Sequence, residues 1–173
     1  PADIEAKDSN GWTPLNAASD HRHFDVVKLL LSKGASKTID EPNKSNWTPL
    51  CSAAGRGSYK TAKLLLENSD VEPNLEIGNS DGMTALYHAA LKGKTKLLKL
   101  LIDKGANIHT RKKYGWTPIN AASQKGHFEA VRLLLEHGAD ITIPEETGMT
   151  PLYNACVQGH TKVAQLLLEH GAD

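Results

Sequence analysis

Zinc needs three or four nitrogen and sulfur donors at short, defined spacings, and the eight histidines and two cysteines are the residues that could supply them. Five of the histidines follow a recurring pattern: His23, His127 and His160 share one position, and His137 and His170 share another. His21, His88 and His109 fall in no H-E-x-x-H or C-x-x-C constellation. Cys51 and Cys156 stand far apart and form no paired motif, which points to free thiols in a reducing compartment rather than to zinc or a disulfide framework. Lys92-Gly93-Lys94-Thr95 ends like a phosphate loop, but His88 occupies the place of its first glycine. Gly55-Arg56-Gly57 lacks the preceding strand and following glycine of a dinucleotide fingerprint. No serine, cysteine or carboxylate stands beside a general base beyond what the recurrence dictates. The expectation is a chain with no catalytic residues, no metal and no cofactor.

The elements behind that recurrence are legible from helix chemistry. Thr13-Pro14-Leu15, Thr48-Pro49-Leu50, Thr84-Ala85-Leu86, Thr117-Pro118-Ile119 and Thr150-Pro151-Leu152 follow one another at steps of 35, 36, 33 and 33 residues. Threonine is an N-cap whose hydroxyl accepts from orphan amides, and proline at the first helical position gives up only an N–H that would lack a partner anyway. Each copy therefore opens a helix, runs through small pairs such as Ala53-Ala54 and Ala121-Ala122, and stops at Gly57, Gly93, Gly126 or Gly159. Arg22 holds that stop position in the first copy. A second helix follows with apolar spacing, as in Ala130-Val131-x-Leu133-Leu134-Leu135, and ends at Gly34, Gly105, Gly138 or Gly171.

The spacing predicts helix pairs near 14–21 and 24–33, 49–56 and 59–67, 85–92 and 95–103, 118–125 and 128–136, and 151–158 and 161–169. The residues that lengthen the first two periods lie between Leu31 and Thr48 and between Leu66 and Thr84, and are expected to enlarge the connecting fingers. A short helix pair cannot enclose its own apolar face, so the copies must stack. Leu65, Leu100 and Leu134 are expected between stacked copies.

Gly11-Trp12-Thr13-Pro14-Leu15, Gly126-His127, Leu133-Leu134-Leu135 and Gly138-Ala139-Asp140 resemble the ankyrin repeat. The resemblance implies an all-α solenoid of stacked helix pairs with hairpin-like fingers on one side. It makes residues 1–173 a single domain with repeats at about 8–42, 43–78, 79–111, 112–144 and 145–173. The family's histidine after Thr-Pro-Leu is replaced by Asn16, Cys51, Tyr87, Asn120 and Tyr153. The second repeat also departs, with Asn46 at the finger glycine and Ser69-Asp70-Val71 in place of Gly-Ala-Asp. Pro1-Ala2-Asp3 resembles the tail of a preceding repeat and Gly171-Ala172-Asp173 stops before another finger, so a segment of a longer array within a larger parent chain is expected.

The position before each threonine holds Trp12, Trp47, Met83, Trp116 and Met149, and thus every tryptophan of the chain. By resemblance this column lies on fingers facing a concave groove, beside the first-helix ends. Tryptophan and methionine are residues on which partners bury binding energy; the competing reading is that the rings brace one another. The first reading makes the chain a protein-interaction module whose protein or peptide partner meets Trp12, Trp47, Met83, Trp116, Met149, His21, Arg56, Lys92, Tyr114 and Lys125. Its centre is expected at Trp47, Met83 and Trp116. A structural spacer or regulatory array within a larger signalling protein is the alternative.

Charge decides less. Twenty basic residues balance twenty acidic ones, so no net field draws the molecule to nucleic acid or an anionic membrane. Locally, seven lysines and Arg111 stand against Asp103 alone between residues 92 and 113, which leaves binding of an anionic ligand or nucleic acid as a lesser alternative. Lys28, Lys63, Lys99 and Arg132 share a second-helix position that the resemblance puts on the outer face. No apolar run reaches membrane-span length, and the expected setting is cytoplasmic, with the nucleus open.

Overall fold

The computed structural model describes residues 3–67 and 71–173. The expectations placed on Pro1, Ala2, Ser69 and Asp70 lie outside the described residues. Among those described, the regular elements are helical: α1 (Pro14–Asp20), α2 (Phe24–Ser32), α3 (Pro49–Gly55), α4 (Tyr59–Leu66), α5 (Ala85–Leu91), α6 (Thr95–Asp103), α7 (Pro118–Gln124), α8 (Phe128–Glu136), α9 (Pro151–Val157) and α10 (Thr161–Glu169). Their bounds agree with the spacing to within about a residue.

Capping explains that agreement. The hydroxyls of Thr13, Thr48, Thr117 and Thr150 accept from the amides of Asn16, Cys51, Asn120 and Tyr153, and each is followed by proline at the first helical position. Left-handed residues at Gly57, Gly93, Gly126 and Gly159 break the chain between the two helices of a pair, with φ between 60° and 71°. Arg22 fills the same left-handed place at φ 60°, so the turn survives the loss of its glycine at a steric cost.

The chain forms two compact units, Pro1–Ala85 and Leu86–Asp173. In the first, α1 packs on α3 and α2 on α4; in the second, α7 packs on α9, α6 on α8 and α8 on α10. Like helices of successive pairs thus stack, the arrangement of an all-α repeat solenoid. The core of the first unit includes Leu15, Val27, Leu50 and Leu65, and that of the second Leu86, Leu98, Leu101, Ile119, Leu134 and Leu167, all buried.

Two expectations need correction. Leu100 is only half-buried, and Leu101 is the fully buried residue in register with Leu65 and Leu134, each seventeen positions after the repeat threonine. A triplet of leucines hides this register, because every one of them satisfies an apolar pattern. The extra residues after Leu31 do not enlarge the finger either. They form a 3-10 turn, Ala35–Thr38, that buries Ala35 and Ile39 and is closed by the Thr38 hydroxyl donating to the Ala35 carbonyl at 3.0 Å.

Candidate functional site

Each finger is a five-residue loop whose ends are joined by one backbone bond, from Asp8 to Trp12, Asn43 to Trp47, Asn79 to Met83, Lys112 to Trp116 and Glu145 to Met149, at 3.0–3.1 Å. Four of the five also use a side-chain acceptor at the first position. Asp8 Oδ1 accepts from the amides of Asn10 and Trp12, Asn43 Oδ1 from Ser45 and Trp47, and Asn79 Oδ1 from Asp81 and Met83. Glu145 Oε1 takes the amides of Thr147 and Met149 together with the Thr147 hydroxyl. That hydroxyl, with the two amides, holds the Glu145 carboxyl below its ordinary range. Sequence reasoning missed this column, although an acceptor recurs five residues before the threonine in four copies.

The fourth finger has no such acceptor. Lys112 stands in its place, and the loop changes: residues Lys113–Gly115 form a 3-10 turn, with Tyr114 left-handed at φ 65° and 63% exposed. The Lys112 ammonium lies 5.5 Å from the Trp116 ring centroid and 5.9 Å from that of Tyr87, within cation–π range of both. Neighbouring fingers are tied by amides of Lys44 to Asn10, Ser80 to Ser45 and Glu146 to Tyr114, at 2.9–3.0 Å.

Three of the residues that replace the family histidine, Asn16, Cys51 and Asn120, bridge to the next finger within their units. Asn16 Nδ2 donates to the Trp47 carbonyl while Asn16 Oδ1 accepts from Ser52 Oγ at 2.7 Å, and Asn120 Nδ2 donates to the Met149 carbonyl at 3.3 Å. The Cys51 thiol donates to the Ile77 carbonyl at 3.0 Å, and burial raises its pKa to about 11, so it is a packed donor and no nucleophile at neutral pH. Burial likewise pushes the Tyr87 phenol up.

Against this frame the expected site residues fall into two groups. Trp12, Trp47 and Met83 in the first unit and Trp116 and Met149 in the second are all half-buried, with backbones held in the fingers. His21, Arg56, Lys92 and Lys125 follow the ends of first helices and are exposed, and Tyr114 is exposed at a finger tip. His21 stacks on His23 with ring centroids 5.9 Å apart, and its Nδ1 lies 3.0 Å from the Ala17 carbonyl. Arg56 grips Asp20 through Nε and Nη2 at 2.9 and 2.8 Å, and that carboxylate raises the guanidinium pKa further.

The histidine column seals the same helix ends. His127 Nε2 lies 3.1 Å from the Leu91 carbonyl, and His160 Nε2 lies 3.1 Å from that of Gln124. A Cβ on Gly93 would stand 2.6 Å from His127 Nδ1, and one on Gly126 2.5 Å from His160 Nδ1, so glycine is required for close approach as well as for φ. The position that follows Arg22 in this scheme is Ser58, a side chain too small to impose the same limit. Burial lowers the His127 pKa, opposed by its bond to Leu91 and reinforced by His160, Lys125 and Lys94.

On the second helices, Lys63 pairs with Glu67 at 3.7 Å, Lys99 with Asp103 at 3.6 Å, and Arg132 with Glu129 and Glu136. These are exposed pairs one helical turn apart, the pattern of a solvated helix face. Among the described residues no group of three or more His, Cys, Asp or Glu could hold a metal ion, and no helix is long and apolar enough to cross a membrane.

Stacked pairs and bridged fingers are the features by which one repeat meets the next. The family model for ankyrin repeats (3 copies) matches residues 1–77, 36–112, 72–145 and 97–173. Those ranges together span the chain, which belongs to the ankyrin-repeat family.

Proposed function

We propose that the chain is a protein-interaction module that meets its partner on the finger and first-helix face of its units. Ankyrin repeats are in general protein-interaction modules. The observation that carries the reading to this face is the half-burial of Trp12, Trp47, Met83, Trp116 and Met149 on rigidly bonded fingers. A side chain whose backbone is fixed and whose ring is partly open loses little entropy when a partner covers the rest. The outer faces of α4, α6 and α8 carry exposed ion pairs instead.

The test compares binding with stability. A partner is first captured from cell extract on the immobilised chain, identified and purified, and its affinity for variants is then measured. Trp47→Ala or Trp116→Ala should weaken it by about 2 kcal/mol or more with the melting temperature nearly unchanged. A fall in melting temperature with binding intact would make the rings braces. Lys63→Glu and Lys99→Glu are the controls: if they abolish binding while both tryptophan variants bind like the parent, the outer face is the site.

A further inference from the structure

The position eight residues after each repeat threonine carries His21, Arg56, Lys92, Lys125 and Gln158, and the position before it carries Asp20, Gly55, Leu91, Gln124 and Val157. In the first unit the cation of one repeat meets the acid of the repeat before it: Arg56 is bound bidentately to Asp20. The second unit has the cations without the acid. Lys92 and Lys125 are exposed, and among the described residues neither has a carboxylate within ion-pair distance. The outer Lys63, Lys99 and Arg132, by contrast, are each paired with a carboxylate on their own helix. The helix ends they follow offset part of their charge, and the remainder faces solvent.

Their alignment is set by the histidine staples, which hold the end of α5 at Leu91 to the start of α8 at His127, and the end of α7 at Gln124 to His160 before α10. Successive stacked helices lie about 10 Å apart, and a chain in the extended polyproline II form turns once every three residues with a rise of about 3.1 Å per residue, so every third side chain of such a segment crossing the repeats meets the next lysine. The finger edge of the same unit adds Trp116, Tyr114 and the Lys112 ammonium. Of the carboxylates on the neighbouring finger, Glu145 is committed to its own loop, and Glu146 alone is exposed. The positive potential reaches inward as well, since Lys125 and Lys94 both disfavour protonation of His127.

We infer that the finger and first-helix face of the second unit receives an extended acidic peptide, with carboxylates three residues apart on Lys92 and Lys125. This rests on the interaction face proposed above and specifies the chemistry of its partner. A peptide fits better than a nucleic acid because Lys92 and Lys125 form one short row on a chain of formal net charge +0, whereas tracking a phosphate backbone needs many contacts along one face.

The test uses the whole chain and a labelled peptide of about twelve residues with glutamate at every third position in a Gly-Ser background. Comparison peptides carry the same glutamates in one block, or lysine in their place, and a single-stranded oligonucleotide of similar charge is the nucleic-acid arm. The spaced peptide should bind saturably and more tightly than the block. Lys92→Glu with Lys125→Glu should weaken it roughly tenfold or more, and Lys63→Glu with Lys99→Glu by less than about twofold. Circular dichroism checks each variant's fold, and Lys92→Gln with Lys125→Gln replaces the reversal should the latter not fold. Absence of saturable binding, equal affinity for the block, equal loss from the outer lysines, or tighter lysine-dependent binding of the oligonucleotide overturns the inference. A captured partner that is lost on Trp47→Ala yet indifferent to Lys92 and Lys125 also overturns it, while leaving the interaction face in place. A partner indifferent to all of these removes both.

Discussion

Single residues mark where the repeat pattern is under strain. Arg22 occupies a left-handed turn at φ 60° that glycine fills in the other copies. Relief of about 1–2 kcal/mol of backbone strain, less about 0.4–1 for the looser unfolded chain, means that Arg22→Gly should stabilise by up to about 1.6 kcal/mol. The reverse change is costly where a histidine sits over the glycine. Gly126→Ala places a methyl 2.5 Å from His160 Nδ1, and urea unfolding should show a loss greater than the roughly 1–2 kcal/mol of the backbone alone. Adding His160→Ser should restore the steric part only. His88 is 4% exposed, and burial first, then Lys92, lowers its pKa to about 4. Unfolded, it takes up a proton below about 6.5. Between those values the unfolded chain holds the extra proton, so stability falls with falling pH, by on the order of 3 kcal/mol across the window, and His88 contributes nothing above it. Urea midpoints from pH 7 to 4.5 should show this slope, and His88→Asn should reduce it. His127, also depressed, leaves a residue of the same sign.

At the scale of elements, the threonine caps and left-handed turns are local chemistry, and they make helix bounds predictable from spacing. Burial within a helix is decided by what packs on it. In α6 the apolar pattern runs Leu97-Leu98-x-Leu100-Leu101, and only contact with neighbouring helices separates the half-buried Leu100 from the buried Leu101. Leu101→Ala should therefore cost about 2–5 kcal/mol in urea unfolding, and Leu100→Ala distinctly less. Equal losses would mean that α6 is rotated about its axis. The fingers show the same division. Their acceptor column is visible in the sequence as Asp8, Asn43, Asn79 and Glu145, whereas the left-handed Tyr114 follows from Lys112 having nothing to offer the loop amides.

At the scale of the whole molecule, stability in a stacked array is a sum of repeat terms and nearest-neighbour terms. Leu167 is fully buried in α10, and Leu167→Ala should lower hydrogen-exchange protection in α9 and α10 most and in α7 and α8 less, leaving α1–α4 unchanged. A uniform loss along the chain would show one cooperative body instead. What the sequence by itself determined about this protein is its repeat, its helix pairs and the confinement of every tryptophan to one column, because caps, turns and apolar period act over a few residues. Tertiary structure alone decided that Asn16, Cys51 and Asn120 bridge to the next finger, that Gly93 and Gly126 lie under imidazoles, and that Arg56 is neutralised while Lys92 and Lys125 are not. Each of these joins residues about one repeat apart, so each depends on how two stacked pairs are aligned, which no local rule of spacing specifies.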